Sequence, residues 1–173
     1  FYVHRSVAEE FLERFGAAVS ALRVGPAFAE GVAVGPVASA RARDSLTALL
    51  NRAVAAGARV VAQASWDQGA PGYFVPPTLL VVDDPRAEVV VSEIFGPLAP
   101  VVVYDDHEEM VGLVNATEYG LASYVYGPSL EWSLHLAERI EAGRATRSVV
   151  RSAERSELRA LGTSAAGRTA PAP

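Results

Sequence analysis

The 173-residue chain contains neither cysteine nor lysine, and these two absences limit the chemistry of its side chains. Without cysteine there is no thiolate nucleophile, and without lysine there is no amine to form a Schiff base. All fifteen basic residues are arginine, and twenty Asp and Glu residues give a net charge of −5. This mildly acidic balance gives no general electrostatic reason to bind nucleic acid or an anionic membrane. We therefore expect neither partner.

Long apolar runs and metal-ligand spacings are also missing. No run approaches the roughly 20 apolar residues that span a bilayer, and no charged-then-apolar leader opens the chain. A cytoplasmic location is therefore the expectation. His4, His107 and His135 lie far apart without the spacing of a metal site, so surface or core roles are predicted and no metal is expected. The chain opens at Phe1 within a strand-like run, which suggests a piece of a longer protein.

The apolar pattern alternates between strand-like runs and helical periodicity. It predicts strands at Phe1–Val3, Arg59–Ala62, Tyr73–Val82, Pro100–Tyr104 and Leu121–Tyr126, and helices over roughly 7–22, 39–56, 107–115 and 130–142. Ser6 is the expected N-cap of the first helix. Ala87–Val91 fits either a strand or a short helix. The last two predicted strands are expected to be buried on both faces of a sheet. The predicted fold class is therefore α/β, with helices covering both faces of the sheet.

Residues 144–173 differ in kind from the rest. They hold few large apolar side chains, and their six Arg and two Glu give +4, against −9 for residues 1–143. Such a composition cannot bury enough apolar surface to fold by itself. We therefore expect a folded domain over 1–143 and a disordered Arg/Ala/Ser-rich tail over 144–173.

The segment Glu93–Leu98 is the strongest functional signal in the chain. Glu93 and Phe95 stand two positions apart, and Gly96-Pro97 follows them, which suits a rigid loop better than a helix or strand interior. A carboxylate acceptor beside a flat apolar ring suits the sugar and the ring of a nucleotide. The alternative roles are a solvated loop carboxylate for Glu93 and a core position for Phe95.

Seven short segments, in this order, resemble the catalytic domain of the aldehyde dehydrogenase family. The resemblance covers residues 1–143. The form of residues 95–100 also resembles the succinate-semialdehyde dehydrogenase branch. The matching segments are Phe1–Ser6, Leu22–Gly25, Val34–Val37, Gly57–Val60, Gly72–Leu80, Glu93–Leu98 and Asn115–Ala122.

The resemblance implies a three-layer α/β fold, here an incomplete catalytic domain, and the oxidation of an aldehyde to its carboxylic acid with NAD or NADP. In this family a cysteine thiolate attacks the aldehyde, and a nicotinamide accepts the hydride. By resemblance, Glu93 would bind the hydroxyls of the nicotinamide ribose, and Phe95 would pack beside the nicotinamide ring. Asn115, Thr117 and Gly120 are expected to end a helix and turn the chain.

The chain departs from the family in three places. In members of the family, the nucleophilic cysteine and the main dinucleotide-binding domain lie upstream of the position that corresponds to Phe1. The tail, residues 144–173, resembles nothing in the family. We therefore expect the chain alone to be inactive, and a shifted reading frame is one hypothesis for the tail. The alternative function is a non-catalytic remnant or assembly module that forms a homo-oligomer or pairs with a full-length dehydrogenase. The aldehyde and the choice between NAD and NADP stay open.

Overall fold

The computed structural model describes residues 1–127 and 129–142, together with the backbone of 145–149. A four-stranded sheet has the order β1-β4-β3-β2, in which β4 is parallel to β1 and β3, and β2 is antiparallel to β3. A separate two-stranded parallel sheet pairs β5 with β6. In chain order the elements are β1 (Tyr2–His4), α1 (Arg5–Ser20), α2 (Ala40–Ala55), β2 (Arg59–Gln63), β3 (Thr78–Val81), α3 (Glu88–Val91), β4 (Leu98–Tyr104), α4 (His107–Asn115), β5 (Ser123–Gly127), α5 (Leu130–Ala137) and β6 (Ala145–Val149).

The side chains of β3 point alternately to two core clusters, one on each face of the four-stranded sheet. Leu80 faces a cluster that includes Leu46 of α2 and Val89 of α3, whereas Leu79 and Val81 face a cluster that includes helix α1. Successive side chains of a strand point to opposite faces of its sheet, so α1 and α2 cover opposite faces. The expected three-layer α/β arrangement is confirmed.

A third core cluster joins the smaller sheet to the larger one. Val125 of β5, Met110 of α4 and Leu136 of α5 are buried together, and Tyr2 and Tyr104 from the larger sheet pack against them. These contacts place α4 and α5 against residues of β1 and β4.

The start of α1 differs from the sequence prediction. The helix begins at Arg5, so Ser6 lies inside the first turn instead of capping it. The imidazole of His4 takes the capping role, because its Nδ1 accepts from the backbone N–H of Ser6 at 3.2 Å. A His side chain is not among the usual N-cap groups, and the Ser-x-x-Glu pattern was the stronger local signal. The helix ends at Ser20, two residues before the predicted limit.

Three other elements differ from the sequence prediction or resolve an ambiguity in it. The ambiguous segment Ala87–Val91 holds the short helix α3. Strand β5 has only Val125 buried, and Tyr124 and Tyr126 are 65% and 60% exposed, so the prediction of burial on both faces is wrong there. Helix α5 ends at Ala137, five residues before its predicted limit at 142.

Strand β6 lies within the segment that was expected to be disordered. Its five residues pair in parallel with β5, from Ser123 opposite Ala145 to Gly127 opposite Val149. A β-strand partner supplies backbone hydrogen bonds whatever the side chains are, so composition alone gave the wrong prediction for 145–149. The remainder of the predicted tail, residues 144 and 150–173, lies outside the described residues.

Candidate functional site

The segment Glu93–Leu98 connects α3 to β4 and is anchored at both ends. Before it, the backbone N–H of Ser92 donates to the carbonyl oxygen of Glu88 at 2.9 Å. At its far end, the backbone N–H of Thr78 in β3 donates to the carbonyl oxygen of Pro97 at 2.9 Å. The segment is therefore fixed between a helix and a buried strand.

Side chains along this segment alternate between solvent and core. Ile94 packs against the α2-side core cluster, whereas Glu93 is exposed and Phe95 is 80% exposed. A large aromatic side chain held at that exposure on an anchored loop is available to contact a ligand. The two residues that the sequence singled out thus point outward from one short, supported stretch of backbone.

An open groove of about 200 Å³ separates this segment from α2. It brings together Glu93 and Phe95, which the sequence predicted, with helix residues that the sequence did not suggest. The helix residues occur at positions i, i+3, i+4 and i+7 and so share one face of α2. That spacing is the signal by which they could have been found. They are Ala42, Ser45, Leu46 and Leu49.

An ion pair ties α3 to α2 just before the segment begins. Arg52 binds the carboxylate of Glu88 with two hydrogen bonds, from Nε to Oε2 at 2.9 Å and from Nη2 to Oε1 at 2.8 Å. The hydrogen bonds from Arg52 lower the pKa of Glu88 below its ordinary value of 4.5. The fork geometry orients α3 as well as attracting it, because two parallel bonds fix the carboxylate plane.

The histidines do not form part of this site. His4 and His107 stack with ring centroids 5.2 Å apart, and His107 makes an edge contact with Trp132 at 5.1 Å. This packing between β1, α4 and α5 is a structural role that the sequence spacing could not reveal. Within the described ranges, no group of three His, Cys, Asp or Glu side chains is arranged to hold a metal ion.

The chain belongs to the aldehyde dehydrogenase family, a family of oxidoreductases, because the family model matches residues 1–168. That match extends beyond residue 143, where the resemblance seen in the sequence ended. No helix in the part of the chain that the structure describes is long and apolar enough to cross a membrane.

Two curated succinate-semialdehyde dehydrogenases are among the relatives to which the chain is similar. A succinate-semialdehyde dehydrogenase of Paenarthrobacter nicotinovorans is 42% identical over 143 residues, which are 83% of this chain and 32% of the relative. The mitochondrial succinate-semialdehyde dehydrogenase of Mus musculus is 38% identical over 144 residues, 83% of this chain and 27% of the relative. The chain therefore spans less than a third of the length of these curated relatives.

Solved structures support the same fold. PnpE from Pseudomonas sp. WBC-3 superposes with a TM-score of 0.79 at 32% identity, over 84% of this chain and 30% of PnpE. A second PnpE structure, which contains nicotinamide adenine dinucleotide, superposes with the same TM-score of 0.79 at 29% identity, over 88% of this chain and 32% of that chain. The architecture is thus that of part of an aldehyde dehydrogenase.

Proposed function

We propose that this chain serves the NAD- or NADP-dependent oxidation of an aldehyde to its carboxylic acid by supplying a contact to the nicotinamide ribose. The observation that carries the proposal is the pair Glu93 and Phe95, both exposed on one segment that is anchored at each end. Family membership supports the reaction class. Relatives named as succinate-semialdehyde dehydrogenases favour succinate semialdehyde as the aldehyde.

The exposed side chains fit the nicotinamide half of such a cofactor. The two oxygens of the Glu93 carboxylate accept hydrogen bonds and could bind both hydroxyls of a ribose. The ring of Phe95 offers a flat apolar face against which a nicotinamide could pack. When bound, NAD or NADP supplies the hydride acceptor. The role of Glu93 and Phe95 is to orient it, which matters because hydride transfer depends on the alignment of the reacting atoms.

The chain does not supply the nucleophile of the family reaction, because it contains no cysteine. We therefore expect the purified chain alone to form no NADH from succinate semialdehyde and NAD. Turnover that survives the substitution Glu93→Gln would contradict both the inactivity and the assignment of the site.

Ligand binding tests the site directly. Saturation-transfer NMR with nicotinamide mononucleotide should show transfer from the protein to the ribose and ring protons, and AMP, which lacks the nicotinamide, should show much less. Glu93→Gln and Phe95→Ala should each weaken binding by about tenfold, because each removes an interaction worth roughly 1.4 kcal/mol.

Two matched controls accompany these variants. Glu13→Gln removes an exposed carboxylate from α1, on the opposite face of the sheet, and Phe28→Ala removes another fully exposed aromatic ring. Both should bind nicotinamide mononucleotide as the wild type does. Equal binding by all five proteins, or no preference over AMP, would overturn the assignment of Glu93 and Phe95.

A second candidate function, pairing with a full-length dehydrogenase subunit, is favoured by the uncovered face of β5. Tyr124 and Tyr126 project from that face and are well exposed, while Val125 on the other face is buried. Exposed aromatic residues of this kind are common at protein interfaces. Light scattering of the chain mixed with a full-length succinate-semialdehyde dehydrogenase should detect a complex that Tyr124→Ser/Tyr126→Ser abolishes and Tyr119→Ser leaves intact. Persistence of two separate species would exclude this function.

A further inference from the structure

We propose that Leu46 of α2 is a positioning residue that holds Glu93 and Phe95 in place by filling the space over Gly96. This inference rests on the proposed function, because it takes the segment Glu93–Leu98 as the nicotinamide contact. Leu46 itself is 6% exposed and belongs to the core cluster on the α2 side of the sheet. Leu46 also lines the groove beside Glu93 and Phe95, and its proposed effect on a ligand is exerted through the loop.

The side chain of Leu46 occupies the space that a side chain at position 96 would need. A Cβ built on Gly96 would collide with Cδ1 of Leu46 and would lie 2.7 Å from its Cδ2 and 3.1 Å from its Cγ. Gly96 has no left-handed backbone conformation, since its φ lies outside the range that favours glycine. The absence of a side chain at Gly96 thus serves the close approach of Leu46 and not an unusual turn.

Leu46 supports the loop that carries Glu93 and Phe95 on the side that faces α2. Glu93 and Phe95 alternate with Ile94, which packs against the core cluster on the α2 side, and with Gly96, whose missing Cβ would point at Leu46. The anchors at Ser92 and Pro97 fix the ends of the segment but lie outside the alternating stretch. Leu46 therefore decides how far the middle of the segment stands from α2, and with it the position of Phe95.

Substitutions at the two positions should compensate each other. Gly96→Ala alone should push the segment away from α2, whereas Leu46→Ala removes all three atoms that the new methyl group would meet. The double variant Leu46→Ala/Gly96→Ala should therefore regain part of what Gly96→Ala loses. Recovery of ligand binding by the double variant would show that the two positions act on the site through one shared space.

The experiment uses two readouts on the full chain. Fluorine NMR of 4-fluorophenylalanine at position 95 reports the position and order of the segment without any ligand. Saturation transfer to nicotinamide mononucleotide reports the site. We expect Gly96→Ala and Leu46→Ala each to shift the fluorine signal and to weaken binding by about tenfold, and the double variant to move both readouts back toward the wild type.

Leu80→Ala is the matched control for stability. Leu80 is completely buried in the same core cluster, whereas the three atoms nearest to a Cβ built on Gly96 all belong to Leu46. Under conditions where every variant is folded by circular dichroism, Leu80→Ala should leave the fluorine signal and the binding unchanged. If it alters both as Leu46→Ala does, the effect is general loosening of the core and the inference is overturned.

The two readouts separate the inference from the function on which it rests. A fluorine signal that shifts and recovers, in a protein that does not bind nicotinamide mononucleotide, would support the positioning role and overturn the nicotinamide contact. Binding by the wild type with a fluorine signal unaffected by Leu46→Ala and Gly96→Ala would support the nicotinamide contact and overturn the positioning role.

Discussion

Asn115, the last residue of α4, holds the turn after α5 through Arg139. Its Nδ2 donates to the carbonyl oxygen of Arg139 at 2.8 Å, and its Oδ1 accepts from the backbone N–H of Glu141 at 3.0 Å. One side-chain amide thus satisfies two backbone groups that lie more than twenty positions away. The helix-ending role expected from the sequence is present, and the structure adds a long-range role that sequence spacing does not reveal.

Asn115→Ala should lower the free energy of unfolding by about 1–2 kcal/mol, because one part-buried carbonyl group and one exposed N–H group lose their partner. Urea denaturation followed by circular dichroism measures this loss. The control is Asn51→Ala, at an exposed position of α2, which should change stability by no more than about 0.5 kcal/mol. Equal effects of the two substitutions would show that the bonds of Asn115 contribute nothing measurable.

The limits of α2 were predicted well from the sequence, because residue types that favour helix ends stand at both of its ends. Ser39 caps its start by accepting from the backbone N–H of Ala42, and Gly57 follows its end with a φ of +102°. The His4 cap of α1 was missed because the geometry of the β1–α1 junction overrides a Ser-x-x-Glu pattern. Exposure of Tyr124 and Tyr126 was missed because a strand's own pattern does not say how many layers will cover it.

The candidate site likewise has one part that the sequence predicts and another part that only the fold shows. Glu93 and Phe95 were found from residue types at short spacing, because a carboxylate, a ring and Gly-Pro act within six positions. The contact of Leu46 with Gly96 joins residues fifty positions apart. No local pattern encodes it, since it depends on how α2 packs over the end of the sheet. Residue chemistry thus predicts Glu93 and Phe95 as a candidate ligand contact, whereas the proximity of Leu46 to Gly96 is visible only in the fold.

The central strand β3 should contribute most to stability. Leu80→Ala removes a completely buried side chain from the core cluster between the sheet and α2, and we expect a loss of about 2–5 kcal/mol in the free energy of unfolding. Leu121→Ala, at a position that is 87% exposed, is the matched control and should cost less than about 0.5 kcal/mol. Urea titration of both variants provides the comparison. If Leu80→Ala lowers the free energy of unfolding by less than Leu121→Ala does, the face of the sheet that α2 covers is loosely packed.

Replacing Gly57 and Gly112 with alanine should change the free energy of unfolding in opposite directions. Gly57 has a φ of +102° and open space around its Cα, so Gly57→Ala should destabilise the protein by about 1 kcal/mol through backbone strain alone. Gly112 lies inside α4, also with open space for a methyl group, and Gly112→Ala should stabilise by roughly 0.5–1 kcal/mol. Thermal unfolding of the two variants beside the wild type measures both changes. Changes of the same sign would refute the assignment of strain to Gly57.

The ion pair between Arg52 and Glu88 should make stability depend on pH in the acid range. The hydrogen bonds from Arg52 lower the pKa of Glu88 in the folded protein below the ordinary value of 4.5. A carboxyl with a depressed folded-state pKa contributes stability that is fully present above its unfolded-state pKa and disappears as the pH falls through the folded one. Arg52→Gln should therefore lower the urea midpoint by a constant amount above pH 4.5, and the difference from the wild type should shrink at lower pH.

Arg41→Gln tests whether the effect belongs to the pair or to loss of any positive charge from α2. Arg41 lies on the same helix and is exposed, and the described residues show no ion pair for it. Its difference from the wild type should show no step near pH 4.5. Since Glu88 begins α3, which leads into Glu93–Leu98, the fluorine signal at position 95 should also move below that pH in the wild type, and Arg52→Gln should remove the pH dependence of that movement. An identical pH profile for Arg52→Gln and Arg41→Gln would show that the pair does not fix α3.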